Sequence, residues 1–286
     1  MLQQKRSKAS EILRYVIIAL ILVAILFPIV WLILTSFKPA EDLMVSPPHF
    51  IFKPTLDNYI YAIEKANFLL FIQNTLLDAI VSTLIVIVLS SLAAYSFARY
   101  NPGGGNILFF ILTTKMFPAI AVVLPYFLIF KQIGNTGIGK FLQIGLDKPG
   151  ALIISYTMFN LPFAIWLLVS FFQDIPRELE DSARLDGYNR LQVLRRVVLP
   201  LAMPGIAVTA IFCLIFSWNE FLFAYILTRD AARTITVGVE SFFTLRGILW
   251  GPVAAAATIS VAPMLIFVLI LQRYMVRGLT FGAVRG

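Results

Sequence analysis

The sequence is poor in the parts from which most enzymes are built. It has one cysteine, Cys213, and one histidine, His49, in 286 residues. A lone cysteine excludes an intrachain disulfide, and its place in an apolar run reads as packing. Without a Cys/His cluster a zinc site lacks its ligands. No pair of carboxylates, Ser/His/Asp set or Cys/His set falls at a catalytic spacing, so no catalytic residue and no metal ligand is named. A Gly-rich phosphate loop of the GxxxxGKS type is absent, so no cofactor is expected in this chain. No repeat of 20–50 residues is visible, which excludes a solenoid. Charge is scarce as well: Asp, Glu, Lys and Arg make up 13% of the residues, about half the usual share of a soluble domain.

Apolar residues fill that space, at 59% of the chain. A span needs about 20 mostly apolar residues, and several such runs are present. The sequence therefore reads as an all-α, multi-pass membrane protein. A net charge of +8 then reads as topology and attraction to anionic membrane lipid, and nucleic acid is not an expected partner.

Residues 1–14 are polar and basic. Residues 15–34 form an uncharged run, too long for a signal-peptide core and without a cleavage site after it, so residues 15–37 are read as a retained first transmembrane helix. Residues 38–67 form a loop too rich in proline for one helix. The second span covers 68–98, with Asn74 and Asp78 on one face at i and i+4. After the turn RYNPGGGN, the third span, 107–130, is interrupted by Lys115, Pro118 and Pro125. A loop at 131–149 precedes the fourth span, 150–173, kinkable at Pro162. The fifth runs over about 197–227 and contains Glu220; a loop at 228–246 leads to the sixth, 247–272. Residues 68–272 thus form the core, and 273–286 a basic tail. Six spans put both termini on one side. The segments on that side carry 13 Lys and Arg against 9 on the other, which predicts that termini and central loop are cytoplasmic.

Charges inside spans are costly and commonly face a cavity or a partner. Asp78 and Glu220, the latter beside Trp218 and Asn219, are candidates for the lining of a translocation path. Lys115 is a third charge at such depth, read more simply as snorkelling or pairing. A proton-coupled secondary carrier using Asp78 and Glu220 as proton sites remains an alternative.

The densest charge of both signs lies at 174–199. Pro176 suits a first helical position, and Glu178, Glu180 and Asp181 favour the positive end of the helix dipole. Glu180 and Arg184 are spaced as an i,i+4 ion pair. The small Ser182 and Ala183 leave room for close packing, and after Asp186 the helix stops at Gly187, which takes positive φ without penalty. A second, basic helix is expected to place Leu191, Leu194 and Val198 on one face. An amphipathic helix, a glycine turn and a basic helix suit a knob offered to a partner's groove.

Asp181-Ser182-Ala183, then Gly187, then Val197, Leu199 and Pro200, resembles the cytoplasmic EAA loop of ABC importer permeases. In that pattern Asp181 stands for the usual Glu, Ser182 for Ala and Val197 for Ile. The resemblance extends over nearly the whole chain. Thr35-Ser36-Phe37-Lys38-Pro39, Asn74-Thr75, Ser96-Phe97-Ala98-Arg99-Tyr100, Met116-Phe117-Pro118, Ser217-Trp218-Asn219-Glu220-Phe221 and the tail from Gly278 are similar to the carbohydrate branch, most of all to the smaller, maltose-type subunit. The resemblance implies a type I ABC importer transmembrane fold and import of a sugar or oligosaccharide by alternating access. It implies a second homologous permease, an extracytoplasmic solute-binding protein, and two cytoplasmic ATPase subunits that hold ATP and Mg. It also implies that residues 178–187 couple to the ATPase, that the tail touches the ATPase dimer, and that the 228–246 loop faces the binding protein.

Overall fold

A chain that leaves water must satisfy every backbone N–H and C=O internally, and the long apolar runs do so as helices. In the computed structural model, which describes residues 8–245 and 247–281, the helices are α1 (Lys8–Ser36), α2 (Asp57–Ile60), α3 (Phe68–Tyr100), α4 (Gly104–Met116), α5 (Ala119–Gly134), α6 (Gly137–Phe141) and α7 (Pro149–Gln173). They continue with α8 (Arg177–Leu185), α9 (Arg190–Val193), α10 (Leu199–Trp218), α11 (Leu222–Leu227) and α12 (Ile235–Glu240). The strands β1 (Phe243–Thr244) and β2 (Gly247–Ile248) follow as an antiparallel pair, and α13 (Trp250–Phe281) comes last.

Five helices are long and apolar enough to span a membrane singly. α4 and α5 form the third span together, bent by 86°. The bend has a local cause. Pro118 cannot donate to the helix ladder, and it forces Phe117, with ψ of 131°, into extended backbone. The expected six-span pattern is present, with its third member broken.

The chain divides into two units, 1–68 with 239–261 and 69–238 with 262–286. In the first, α1 is bare over its apolar run, as suits a helix facing lipid. Its C-terminal end is tied by Asn58, whose Nδ2 donates to the carbonyls of Ser36 (3.0 Å) and Lys38 (2.8 Å). The Ser36 hydroxyl lies 2.7 Å from that of Tyr59.

The second unit is organised along α7. Near its C-terminal end, Ile165, Leu168, Val169 and Phe172 pack with Tyr95 and Phe97 of α3, Ala183 of α8, and Val193, Leu194, Val198 and Ala202. Near its start, Leu152 and Tyr156 pack with Val123 and Phe130 of α5 and Phe223 and Leu227 of α11. Gly205 lets α10 lie close against α7, since a Cβ there would run into the Phe171 ring. Between the two clusters sits a polar layer, where Asn160 donates to the Ser217 hydroxyl at 2.9 Å and Ser82 lies 3.4 Å from the same oxygen.

Two expectations change here. The fifth span is not one helix to residue 227: α10 ends at Trp218, and Glu220 lies in the break before α11. The last helix does not stop at 272 but continues through the basic segment to Phe281. Residues 1–7 and 282–286, with the ends of both predicted cytoplasmic segments, lie outside the described residues, as does Arg246 of the 228–246 loop.

Candidate functional site

The charged loop folds as two helices around a glycine turn. α8 closes in a Schellman arrangement: Tyr188 N–H donates to the Ala183 carbonyl and Gly187 N–H to that of Arg184, at 3.1 and 3.0 Å. Gly187 takes a φ of +86°, which favours glycine, and a Cβ there would meet nothing within 4 Å. α9 opens on a capping box. The Asn189 side chain accepts from Gln192 N–H at 2.9 Å, while Gln192 Oε1 accepts from Asn189 N–H at 2.8 Å. A π-turn, Leu194–Val198, then joins α9 to α10 without a break, so one helical rod runs from Arg190 to Trp218. Pro200 stands where the π-turn meets α10, so the rod lacks one ladder hydrogen bond there.

The buried residues of α8 are Glu180 and Ala183, and its first residue, Arg177, donates to the Arg99 carbonyl at 3.4 Å. Glu180 does not pair with Arg184. Its Oε1 accepts from Nε of Arg99, at the end of α3, and its Oε2 from the Tyr95 hydroxyl at 2.8 Å. Arg99 also donates to the Ile175 carbonyl at 3.0 Å. Both charged side chains are almost sealed, at 6% and 3% exposure. Arg184 instead lies 3.6 Å from Asp181 on the outside. The local pairing loses because Glu180 shares the inward face with Ala183, three residues on, and that face meets α3. Ala183 is therefore packed by its own chain, whereas Ser182 is exposed and bonds back to the Glu178 carbonyl at 2.8 Å. The apolar face of the second helix is also corrected. Leu194 and Val198 are buried beside Val193, but Leu191 is 67% exposed, because it precedes the layer that α7 reaches. Glu178, Asp181, Ser182, Asp186, Gly187, Leu191 and Leu185, the last 90% exposed, all face outward. Val197 and Leu199 are partly buried against the cluster below.

The candidates at membrane depth separate. Asp78 is fully buried on α3, and neither carboxylate oxygen has a hydrogen-bond partner among the described residues; nor does the Tyr156 hydroxyl. The carboxylate of Glu220 takes the N-terminal N–H groups of α11, from Phe223 at 2.9 Å and Ala224 at 3.2 Å. Its oxygens thus do the work of a cap. Trp218 is buried, and Asn219 is exposed and donates to the Ile215 carbonyl at 2.8 Å, closing α10.

One group had no sequence signal. Asp147, in the 131–149 loop, accepts from four successive N–H groups, those of Arg229 (2.9 Å), Asp230, Ala231 and Ala232 (3.1 Å each). Burial raises its pKa, but these four donors outweigh it and hold the carboxyl below the usual carboxylate range. The same loop is fastened to α3: Asn74 Nδ2 donates to the Ala231 and Arg233 carbonyls at 2.8 and 3.0 Å, and the Thr75 hydroxyl accepts from Ile235 N–H at 2.9 Å.

The sequence pattern of the family described as "Binding-protein-dependent transport system inner membrane component" matches residues 86–281. A probable ABC transporter permease protein of Sinorhizobium fredii is 38% identical over 260 residues, covering 91% of this chain and 90% of its own. A trehalose/maltose transport system permease protein of Thermococcus litoralis is 36% identical over 287 residues, covering 97% and 99%. Among solved structures, a chain of a bacterial ABC transporter involved in the import of the acidic polysaccharide alginate superposes with a TM-score of 0.74 at 20% identity, covering 96% of this chain and 99% of that one. At that identity the likeness shows the fold, the transmembrane domain of a type I ABC importer.

Proposed function

The chain belongs to the binding-protein-dependent transport system inner membrane components, and we propose on that premise that it is the permease subunit through which ATP hydrolysis drives import of a sugar or oligosaccharide. It is a multi-pass membrane protein and not itself an enzyme. The names of the trehalose/maltose and alginate relatives support a saccharide as cargo. In this reading the chain pairs with a second homologous permease and receives cargo from an extracytoplasmic binding protein at the 228–246 loop. Two cytoplasmic ATPase subunits hold the ATP and Mg. Both termini, residues 1–14 and the segment from 273, lie on the cytoplasmic side with the 174–199 loop.

The observation that carries the reading is how α8 is mounted. Glu178, Asp181, Ser182, Asp186 and Gly187 point away from the spans, while the buried Glu180 and Ala183, with Arg177 donating to the Arg99 carbonyl at 3.4 Å, fasten the helix inward. A rigid-body push on α8 has two ways into the membrane. The Glu180–Arg99 pair and the Tyr95 hydroxyl lead to α3. The Schellman turn and capping box lead through the continuous rod to α10, past Val197, Leu199 and Pro200. Small motions of a packed element of this kind are what a two-state transporter amplifies. ATP binding in the partner would thus switch the spans between outward and inward access.

Gly187 supplies a direct test. Substitution by Ala meets open space, so its cost is the left-handed backbone alone, roughly 1–2 kcal/mol. Gly187→Val adds a branched side chain that points toward whatever docks on α8. Tagged chain purified from its native membrane is expected to bring down a second permease, an ATPase and a binding protein. Gly187→Val is expected to insert normally but to hydrolyse ATP without moving sugar, read as labelled sugar taken up per ATP in proteoliposomes. Wild-type uptake by that variant removes the coupling role from the turn. Solute movement by the chain alone under a proton gradient, without ATP, replaces the importer reading with the secondary carrier built on Asp78 and Glu220.

A further inference from the structure

The break in the third span opens a cavity of about 430 Å³ between α4, α5, α7 and α11, walled by Lys115, Phe117, Tyr126, Met158, Phe159 and Phe223. Three of its features point to a ligand. The first is the cation. Lys115 Nζ donates to the Phe159 carbonyl at 3.0 Å and lies over the Phe159 ring, 3.3 Å from its centroid, with Phe216 on another side at 5.2 Å. No carboxylate lies within ion-pair distance of it among the described residues. An ammonium has three N–H donors; with one on the carbonyl and one toward the ring face, one remains for an acceptor in the cavity. A charge at membrane depth without a counter-ion is costly unless it lines an aqueous path.

The second is the wall. The rings of Tyr126, Phe223 and Phe159 pack against one another at steep angles, 50° and 65°, with centroids 5.5 and 6.0 Å apart, and together make one wall of the cavity aromatic. The third is the backbone. Irregular main chain at membrane depth persists where it lines a cavity, and the 86° break lies at this site. Pro162, also on the wall, cannot donate to the Met158 carbonyl and so leaves it free as an acceptor.

We propose that this cavity is a saccharide subsite of this subunit, in which a pyranose ring packs its C–H surface against the aromatic wall and offers a hydroxyl or carboxylate oxygen to Lys115. The proposal rests on the importer reading and adds to it a cargo contact made by this chain itself. It involves neither Asp78 nor Glu220, which are sealed or engaged in capping. The aromatic wall selects for cargo with apolar C–H surface. The uncompensated ammonium selects for an oxygen acceptor and discriminates against cationic cargo.

The test uses the assembled complex in nanodiscs. Cys213 is buried and serves as a silent background. Thr114→Cys and Met158→Cys, two exposed wall positions, are each treated with a charged, water-soluble methanethiosulfonate, and Lys140→Cys in the 131–149 loop serves as the reactive control. Labelling is repeated with millimolar maltotriose and with millimolar trigalacturonate. Both wall cysteines are expected to react, and one of the saccharides is expected to slow the reaction about tenfold. Adding Lys115→Met should leave labelling intact and weaken that protection about tenfold, the loss of one charge-assisted hydrogen bond. Protection by trigalacturonate alone assigns an acidic sugar, and protection by maltotriose a neutral one. If the control reacts and neither wall position does, the cavity faces lipid and the proposal is wrong. If both react and neither saccharide protects, it is also wrong. Co-purification and binding-protein-stimulated ATP hydrolysis, measured on the same preparation, report separately on the importer reading.

Discussion

Replacing Arg99 by Met is expected to uncouple the α8 knob from the spans and to abolish sugar uptake while ATP hydrolysis continues. The reason is the environment of its partner. Glu180 and Arg99 are both nearly sealed from water, and among the described residues Glu180 is left with the Tyr95 hydroxyl as its one other side-chain donor. Breaking a buried ion pair from one side strands a charge and costs about 3–5 kcal/mol. That exceeds what Ala183 and the neighbouring apolar contacts can hold, since loss of a small buried side chain's packing is worth roughly 1 kcal/mol. Glu180→Met should be as damaging, for it strands Arg99 against the Ile175 carbonyl. The double variant, Arg99→Met with Glu180→Met, removes both charges and fills the gap with apolar volume. It should recover folding while failing to restore the directed link. The measurements are uptake per ATP in proteoliposomes and hydrogen exchange over residues 177–193, completed as a double-mutant cycle. Additive effects on exchange, or a single variant with wild-type uptake, would show that α8 is held by something else.

This pair explains why sequence reasoning reached part of the loop and not the rest. The glycine stop at 187 is visible because positive φ at a helix end selects its residue from local chemistry alone. The Asn189 cap, a side chain bonding three residues on, is equally local yet went unread. The partner of Glu180 is 81 residues away, and nothing in a one-dimensional spacing ranks Arg99 above Arg184. Local periodicity offers the i,i+4 neighbour, and only the direction in which Ala183 packs decides against it. Leu191 fails for a related reason, because the helical phase is right but the buried layer begins after it, at Val193 and Leu194.

Composition made the spans legible, since a run of apolar residues has few alternatives in a bilayer. Their irregularities were visible as residues but not as geometry. Pro118 announced a break in the third span, yet the 86° turn, and the cavity it opens beside Lys115, depend on α7 and α11. In the fifth span Asn219 and Glu220 were read as path-lining groups inside a helix. The helix breaks there, with Asn219 at the end of α10 and Glu220 capping α11. Asn74 and Thr75 belonged to the resemblance without a stated task. Their task is to hold the carbonyls of residues 231 and 233 and the N–H of 235.

The same loop carries the second large effect, which centres on Asp147. Four consecutive N–H groups, from Arg229 to Ala232, converge on one carboxylate, so Asp147→Ala leaves four donors without an acceptor at a single stroke. A hydrogen bond to a charged group contributes about 1.5–3 kcal/mol. Because the site is partly exposed, water replaces some of that, and the net release of the loop is expected to be roughly 2–3 kcal/mol. Asp147→Asn should fall between, keeping one carbonyl oxygen but losing the charge. The pH dependence follows from the sign of the shift. The folded carboxyl titrates below its ordinary value, so its contribution is fully present above about pH 4 and is lost as pH falls through the lower, folded value. Wild type at neutral pH should therefore be insensitive to small pH changes. Acid alone should reproduce the variant. Arg229 and Arg233 make the outcome readable, since trypsin should cut the released loop after them at pH 8 in Asp147→Ala and leave wild type intact. On the importer reading, the same variant should need more binding protein to reach half-maximal ATP hydrolysis, with the maximum itself little changed, because α8 and its mooring on Arg99 are untouched. A variant that resists trypsin, or one whose maximum falls while the half-saturating concentration stays fixed, would separate the carboxylate cradle from the docking of the binding protein.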